Sequence, residues 1–359
     1  MGKRIIFYLL IIFFFFGCDI VKTKFVIKGE TLVLKREVSN NLLYKPCCLD
    51  QVYSYDSIGN KIFYKENVDY LIVDKSIRRT LNSRIPDYLN HKVSFDESSK
   101  FTWQAEPNRN PQLNIPFLLC VDYSTFDKGA IIMPDPHISD KLKENLSNKD
   151  TIKIVSIGTS VTAGAHTFSS YFKNDISDTY PELLAKGIDK IYGTTTVIKN
   201  ISRGGSCLDY LLLNLDSIIL EKPNIVIIEF GMNDHVWNSD VNSFIKNYEL
   251  CLDEFQKEDI DIVLVGFFQQ NIEWKQENDS LTKIYNDHLK RLCNRRCIYF
   301  ADIYNCFGLI ENKNIYQDLT GDYLHHPSTF GHVLYYKSIM PYFLKQPIFE
   351  SELVNLLYK

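Results

Sequence analysis

A serine that directly follows an apolar run is the first residue whose type and position could do chemistry. Residues 154–164 read Ile-Val-Ser-Ile-Gly-Thr-Ser-Val-Thr-Ala-Gly, a run rich in β-branched residues that ends at Gly158, two residues before Ser160. This pattern predicts a buried parallel strand that ends in a tight turn, at the sheet edge where open α/β proteins bind ligands. Ser160 is therefore either a helix N-cap, the commoner role of a serine before a helix, or a nucleophile.

Three further segments follow, each carrying polar groups or glycines that suit the same chemistry. Residues 195–205 read as a strand that passes Asn200 and ends in a Gly-Gly turn, and residues 225–234 as a buried strand that ends in Gly-Met-Asn-Asp. Near the C-terminus, residues 322–327 read Asp-Tyr-Leu-His-His-Pro. A serine nucleophile needs a base, a group that orients the base and donors for the oxyanion, and these segments contain all three.

With these four segments in this order, the sequence resembles the SGNH (GDSL-like) hydrolase family of esterases and lipases over roughly residues 150–346. One departure is Thr159, where the family name implies aspartate; this residue neighbours the nucleophile and does not itself do the chemistry. The resemblance implies that Ser160 is the nucleophile and that Asp322 orients a histidine base from the same short loop.

Two neighbouring histidines compete for the role of base. Imidazole suits the role because its ordinary pKa lies near the working pH. The Asp-x-x-His spacing from Asp322 selects His325, whereas the His-Pro signature selects His326. We favour His325, with the other histidine supporting the loop or facing solvent.

The resemblance also implies three donors for the oxyanion: the backbone N–H of Ser160, the backbone N–H of Gly205 and the side-chain amide of Asn233. A glycine at position 205 allows close approach of the backbone to the substrate. Gly204 is the weaker candidate, because the spacing from Asn200 favours Gly205. Taken without the other segments, each of these residues reads as part of an ordinary turn.

Three aromatic residues are candidates for substrate binding. Trp237 and Trp274 follow the third and fourth predicted strands, so both are expected on loops at the catalytic edge, where they either stack on sugar rings or pack a loop against the core. His166 follows the nucleophile turn and either lines the cleft or is an ordinary loop histidine.

The sequence predicts no metal, no cofactor and no nucleic-acid partner. The spacing of Cys293, Cys297 and Cys306 fits no standard zinc site. The net charge of −4 provides no basic surface of the kind that nucleic-acid binding requires.

The first 18 residues predict export and a lipid anchor. Lys3 and Arg4 precede an apolar run over residues 5–16 that is too short to cross a bilayer, and Gly17 and Cys18 follow. This arrangement is typical of a secretory signal and resembles a bacterial lipobox, in which Cys18 is acylated and becomes the mature N-terminus. The alternative is an uncleaved N-terminal anchor. In both cases the protein is expected outside the cytoplasmic membrane, in the periplasm or on the cell surface.

Two parts with different patterns follow the signal. Residues 19–145 contain short alternating runs, at 24–28, 31–35 and 68–74, separated by turn residues such as Gly29-Glu30. They predict a small antiparallel β domain of the sandwich type. The boundary is expected within residues 135–150, so that residues 146–359 form the catalytic domain.

The second part alternates apolar strands with amphipathic helices, which predicts a parallel sheet covered on both faces. The family resemblance implies a flavodoxin-like three-layer α/β/α fold. Strands are predicted at 152–157, 195–200, 224–230, 261–267 and 297–301, and helices at 181–191, 207–220, 241–257 and 279–294.

These observations predict a lipid-anchored serine esterase whose substrate is an acyl ester, above all an acetyl ester, on a carbohydrate. A lipase or lysophospholipase is the alternative within enzymes, and a catalytically inactive glycan-binding lipoprotein is the alternative outside them. Because the candidate catalytic residues all follow residue 150, a fragment that starts near residue 146 is expected to keep activity on small esters.

Overall fold

The computed structural model describes residues 22–91, 93, 95, 97, 99–101, 113–173, 178–237, 239–275, 278–308, 310 and 313–358. The predicted signal and Cys18 lie outside these ranges. Every helix within them is too short or too polar to cross a membrane.

The N-terminal part is built from antiparallel strands, as the alternating sequence predicts. Its described strands are β1 (Phe25–Leu32), β2 (Asn40–Asn41), β3 (Pro46–Tyr55), β4 (Lys61–Phe63), β5 (Tyr70–Val73), β6 (Ser76–Arg79), β7 (Leu119–Thr125) and β8 (Ile131–Ile132). One sheet has the order β1-β7-β3-β4 and another the order β2-β6-β5, with every neighbouring pair antiparallel. Two short 3-10 helices, Tyr88–Asn90 and Ile115–Phe117, lie between β6 and β7.

The predicted turn at Gly29-Glu30 is wrong, because strand β1 continues through it. The register between β1 and β7 shifts between Ile27 and Glu30, which is the signature of a β-bulge. Gly29 has a φ of +64°, and its N–H donates a hydrogen bond to the carboxylate of Asp122 at 2.6 Å. A glycine in the left-handed region thus bends the strand instead of ending it.

The C-terminal part contains a five-stranded parallel sheet, and each of the five predicted strands is found in it. The strands are β9 (Thr151–Gly158), β10 (Thr195–Asn200), β11 (Ile225–Glu229), β12 (Asp261–Val265) and β13 (Tyr299–Ala301). Their order is β10-β9-β11-β12-β13, with all pairs parallel. This is the flavodoxin-like order, in which ligands bind beside the C-terminal end of the first strand, here β9.

Helices cover this sheet, and the four predicted ones are present as α3, α4, α6 and α7. The described helices are α1 (Asp140–Asn148), α2 (Phe168–Phe172), α3 (Tyr180–Tyr192), α4 (Asp209–Leu220), α5 (Met232–Val236), α6 (Val241–Lys257), α7 (Asp279–Arg296), α8 (Ile303–Gly308), α9 (Ile315–Asp318), α10 (Thr329–Ile339) and α11 (Glu350–Leu356), with a 3-10 helix at Met340–Phe343. Helix α3 packs on α10, whereas α4 packs on α6 and α6 on α7. Right-handed crossovers place these two groups on opposite faces of the sheet, which gives three layers.

The two parts of the chain share one hydrophobic core. Buried residues of the β-rich part, among them Ile27 and Leu32, belong to the same cluster as the strands of the parallel sheet. The C-terminal strand β14 (Ile348–Phe349) pairs with β8, and α11 packs on β1. The antiparallel architecture gives way to the parallel one between β8 and β9, but the core is continuous across that change.

Candidate active site

The nucleophile candidate lies in a tight turn at the end of β9. Ser160 comes two residues after the strand ends at Gly158, and no described helix begins there. A side chain at Gly158 would place its Cβ 2.8 Å from the carbonyl oxygen of Glu229, so only glycine allows β9 and β11 to approach so closely. The neighbouring Thr159 hydroxyl accepts a hydrogen bond from the N–H of Val161. Ser160 is thus free of a capping role, and its hydroxyl points elsewhere.

Ser160, His326 and Asp322 form a continuous hydrogen-bonded chain. The hydroxyl oxygen of Ser160 lies 2.8 Å from Nε2 of His326. Nδ1 of the same ring lies 2.5 Å from Oδ2 of Asp322. A hydroxyl, an imidazole and a carboxylate in this order are the arrangement by which a base activates a serine.

The charge on Asp322 fixes where the protons lie. Burial opposes ionisation of this carboxyl, but the adjacent His326 ring holds its pKa well below the usual range. Its Oδ1 also accepts backbone hydrogen bonds at 2.9 to 3.2 Å from Leu324, His325 and His326. An ionised carboxylate only accepts. Nδ1 of His326 therefore carries the ring proton, and Nε2 accepts the proton of the Ser160 hydroxyl.

The structure brings His326, and not the favoured His325, between Ser160 and Asp322. Tyr323 adopts a left-handed backbone with a φ of +64°, and the chain wraps its N–H groups around Asp322. The ring four residues after the aspartate returns to it, whereas the ring three residues after it does not. The His325 ring lies beside that of His326, with 4.2 Å between ring centroids, and lines the same cavity.

The three predicted oxyanion donors lie together around the serine. Ser160, Gly205 and Asn233 line one cavity. Asn233 lies in the first turn of α5, where its side-chain N–H donates to the carbonyl oxygen of Ser206 at 2.8 Å, and its second amide hydrogen remains for another acceptor. Gly205 has a φ of +74°, and a Cβ on Gly204 would lie 3.7 Å from the Cβ of Ser160.

This cavity measures about 810 Å³. The described residues that line it are Ser160, His166, Gly205, Asn233, Val236, Trp237, Gln270, Trp274, Leu324, His325 and His326. All three predicted substrate-binding residues belong to it, but the two tryptophans differ. Trp237 is 72% exposed at the rim, whereas Trp274 is only 6% exposed.

His166 packs against His326. Its ring centroid lies 4.6 Å from that of His326, and burial lowers its pKa to about 4, so the ring is neutral at pH 7. One potential metal-ligand atom from each of His166, Asp322 and His326 lies within 4.8 Å of the others. Both ring nitrogens of His326 already bond to Asp322 and Ser160, so a metal here would displace one of those hydrogen bonds.

The comparison with protein families agrees with this geometry. Residues 156–334, about half of the chain, match the GDSL-like Lipase/Acylhydrolase family. The chain belongs to this family. It is an SGNH-type serine hydrolase, as the order of its motifs predicts.

Some solved structures are similar to this chain over about half of its length. Axe2, an acetylxylan esterase from Geobacillus stearothermophilus, matches with 18% sequence identity and a TM-score of 0.45, covering 54% of this chain and 94% of Axe2. TesA matches with 16% identity and a TM-score of 0.44, covering 53% of this chain and 97% of TesA. No curated protein matches in sequence.

One buried carboxylate of this SGNH hydrolase was missed from the sequence. Glu229 ends strand β11, and its Oε2 accepts hydrogen bonds from the backbone and hydroxyl of Thr159 and from the hydroxyl of Thr162. Burial raises its pKa to about 7. A threonine at position 159 donates to this carboxylate, whereas an ionised aspartate there would repel it. The available signal was a single charged residue in an otherwise apolar strand.

A second missed group holds the loop that carries Asp322 and His326 in this hydrolase. Asn114 is fully buried in the β-rich part. Its side-chain N–H groups donate to the carbonyl oxygens of Tyr316 and Thr320. Its backbone N–H donates to the carbonyl oxygen of Gly321 at 2.9 Å. The Tyr88 hydroxyl donates to its side-chain oxygen at 2.9 Å. No local sequence pattern marks such long-range partners.

A buried ion pair supports the same loop. Nζ of Lys313 lies 2.7 Å from Oε1 of Glu30, and both side chains are at most 1% exposed. The other oxygen of Glu30 accepts from the hydroxyl of Tyr123 at 2.6 Å. Breaking a buried pair of this kind costs about 3–5 kcal/mol, because it leaves one charge uncompensated.

Proposed function

We propose that the protein is an exported serine esterase that hydrolyses acyl esters, above all acetyl esters, on a carbohydrate. The observation that carries the proposal is the hydrogen-bonded chain from Ser160 through His326 to Asp322. Its reactive end opens into a cavity that Gly205 and Asn233 also line. Acyl transfer requires a nucleophile, a base and oxyanion donors around one substrate position, and the lining of this cavity supplies a candidate for each.

In the proposed reaction, the oxygen of Ser160 attacks the ester carbonyl carbon while Nε2 of His326 takes the hydroxyl proton. The carbonyl oxygen becomes an oxyanion and accepts hydrogen bonds from the N–H groups of Ser160 and Gly205 and from the amide of Asn233. The intermediate collapses as His326 returns the proton to the leaving alcohol. Water, deprotonated by the same ring, then hydrolyses the acyl-enzyme and restores Ser160.

Support for a carbohydrate substrate comes from the shape and lining of the cavity. A volume of about 810 Å³ is large for an acetyl group alone, so most of the space serves the alcohol. An exposed indole such as Trp237, 72% exposed at the rim, offers a flat apolar face to a sugar ring. The alternative substrate, a long-chain lipid ester, is an outcome of the chain-length test below.

The test of the nucleophile is Ser160→Ala, assayed on a fluorogenic acetate ester. We expect turnover to fall by several orders of magnitude with unchanged thermal melting, since alanine fits the same turn. Ser217→Ala, an exposed serine on α4, is the matched control and should behave as the unaltered protein. Turnover near the original value in Ser160→Ala would refute the assignment, and a complete lack of activity in the unaltered protein would favour a glycan-binding lipoprotein.

The substrate class is tested with a series of esters that differ only in acyl length. We expect acetate to be hydrolysed with a higher kcat/KM than octanoate, because a carbohydrate esterase places its binding surface on the alcohol side. A preference for octanoate would favour a lipase or lysophospholipase instead.

We further propose that Cys18 carries a lipid anchor. Support comes from the charged start, the short apolar run and the Gly17-Cys18 pair, and stable anchoring requires more than one acyl chain. Cys18→Ala should not label with palmitate in cells, whereas Cys47→Ala, an exposed cysteine of the β-rich part, should label normally. Equal labelling of both variants would contradict the lipobox and favour an uncleaved apolar anchor.

A further inference from the structure

Three side chains that line the catalytic cavity carry buried polar atoms with no hydrogen-bond partner among the described residues. They are both amide atoms of Gln270, Nε1 of Trp274 and Nδ1 of His325. The three residues are 1%, 6% and 8% exposed. Leaving such groups unpaired costs about 1–3 kcal/mol each, so a ligand that enters the cavity and pairs with them gains that free energy.

The rings of His325 and Trp274 lie near His326, and the loop of Gln270 packs on the loop that carries His326. The ring centroid of His325 lies 4.2 Å from that of His326 and 6.2 Å from that of Trp274. Gln270 precedes Asn271, whose backbone N–H donates to the carbonyl oxygen of Leu324 at 3.0 Å. The loop after β12 therefore packs on the loop that carries the base.

The proton transfer in the reaction determines which part of an ester lies next to His326 and these residues. The base returns its proton to the leaving oxygen, so that oxygen must lie beside Nε2 of His326 when the bond breaks. The alcohol portion of the substrate therefore extends towards the base and its neighbours. The candidate oxyanion donors Gly205 and Asn233 belong to other segments that line the same cavity.

The kind of alcohol follows from the unpaired atoms. The amide of Gln270 offers two donors and an acceptor, the indole of Trp274 offers one donor, and Nδ1 of the neutral His325 ring offers either a donor or an acceptor, according to its tautomer. Burial lowers the pKa of His325 well below its ordinary value, so the ring carries no charge that would select an anion. Neighbouring groups that both donate and accept are matched by neighbouring hydroxyls, each of which does the same.

We propose that Gln270, Trp274 and His325 form a subsite that binds the ring hydroxyls of a polyhydroxylated leaving alcohol, such as a sugar. This inference rests on the proposed esterase function and adds to it the residues that would recognise the alcohol. Gln270 makes the central contact, because both of its amide atoms are unpaired and the residue is almost fully buried.

The test compares two esters with the same acyl group and the same ring size: a methyl pyranoside carrying one acetyl group, and cyclohexyl acetate. The measured quantity is the ratio of kcat/KM for the sugar ester to kcat/KM for the cyclohexyl ester. In Gln270→Leu this ratio should fall about 10- to 100-fold, since sites built to bind a hydroxyl discriminate strongly when the pairing is lost. Trp274→Phe keeps the ring but not the donor and should lower the ratio about 3- to 10-fold.

Gln269→Leu is the matched control, because it makes the same change one residue away at a side chain that does not line the cavity. Its ratio should equal that of the unaltered protein. Thermal melting provides a second readout. Gln270→Leu should melt at the same or a higher temperature, since an apolar side chain replaces an unpaired polar one.

Two results would overturn the subsite. One is an unchanged ratio in Gln270→Leu, which includes an equal fall on both esters, and the other is a melting temperature lowered by several degrees, which would mean that Gln270 has a structural partner. In each of these cases the unaltered protein still hydrolyses cyclohexyl acetate, so the esterase function survives. If the unaltered protein hydrolyses neither ester, the proposed function fails and the subsite fails with it.

Discussion

The two sides of the active site are held in place by different parts of the chain. On the nucleophile side, the supports come from the parallel sheet and its loops. Thr159 and Thr162 donate to Glu229, Asn200 donates to the carbonyl oxygen of Thr162 at 2.8 Å, and the carboxylate of Asp234 accepts from Leu208. On the base side, the supports are supplied by the N-terminal β-rich part.

The contacts on the base side join residues about 200 to 300 positions apart. The side chain of Asn114 binds the loop at Tyr316 and Thr320. The N–H of Val33 donates to Asp318 at 2.9 Å. Buried aromatic residues of the β-rich part also belong to the cluster that contains Trp274 and Leu324. The β-rich part thus lines none of the cavity among the described residues, yet it supports the base.

The most severe test of this difference is removal of the β-rich part. A chain that starts at residue 146 exposes the shared core and loses every support from Glu30 and Asn114. We therefore expect it to be insoluble or unfolded and inactive on small esters, contrary to the expectation from sequence. Circular dichroism and an acetate assay measure this. A folded fragment that retains activity would mean that the base-side loop holds its shape alone.

The next largest effect concerns the two histidines. His326→Ala should lower kcat by about 10⁴-fold, as expected for loss of the base, whereas His325→Ala should have a far smaller effect on an acetate ester with a simple alcohol. Steady-state kinetics of both variants show which of the two histidines is the base, and their melting temperatures provide a check on folding. The opposite ranking would mean that the Asp-x-x-His spacing identifies the base after all.

A smaller effect is expected for Asn114→Ala, which removes a positioning residue from the base side. Without its hydrogen bonds the loop shifts, and a misplacement of about 1 Å can cost up to 10²-fold in rate. We expect kcat to fall about 10- to 100-fold with little change in KM, and unfolding to become easier by about 2 kcal/mol. Asn148→Ala, an exposed residue at the end of α1, is the control. An equal loss in both variants, or no loss in kcat for Asn114→Ala, would contradict the positioning role.

The smallest effect is a pH dependence on the nucleophile side. Burial raises the pKa of Glu229 from 4.5 to about 7, so the folded protein holds this proton more tightly than the unfolded chain. The stability from this group is fully present below pH 4.5 and is lost as the pH rises through 7. Glu229→Gln should therefore gain about 2–4 °C in melting temperature relative to the unaltered protein between pH 5 and pH 8.

Glu144→Gln, an exposed residue of α1, is the control for that comparison and should show no such pH-dependent gain. If the gain for Glu229→Gln is absent or has the opposite sign, Glu229 is ionised throughout and its hydrogen bonds outweigh its burial.

The parallel sheet could be predicted from sequence because its information is local. Strands β9, β11 and β12 are mostly apolar runs of five to eight residues, and the polar groups that follow parallel strands lie at one edge of the sheet. This geometry brings Ser160 to that edge, and the family resemblance adds Gly205 and Asn233, which line the same cavity. The choice between His325 and His326 cannot be predicted from local sequence, because it depends on the left-handed backbone of Tyr323, for which a tyrosine gives no sequence signal.

The contacts between the two parts of the chain could not be predicted from local sequence patterns either. A change in strand pattern near residue 140 suggested two domains, but nothing in either segment shows that Asn114 bonds to Thr320 or that Glu30 pairs with Lys313. Gln270 shows the same limit, since a glutamine on a loop looks like any solvated residue. Its amide atoms are buried without a hydrogen-bond partner among the described residues, and only the folded structure shows this.

The position of β1 has a consequence for the order in which the protein can fold. This strand lies near the start of the chain, yet the N–H of Val26 bonds to Asn355, 329 residues later, and the hydroxyl of Thr31 meets that of Ser328, 297 residues later. Contacts so distant in sequence form slowly, and they cannot form at all until the last part of the chain has been synthesised. An incomplete chain therefore has a nucleophile turn but no aligned base, and hydrolytic activity begins only when both ends of the polypeptide have met.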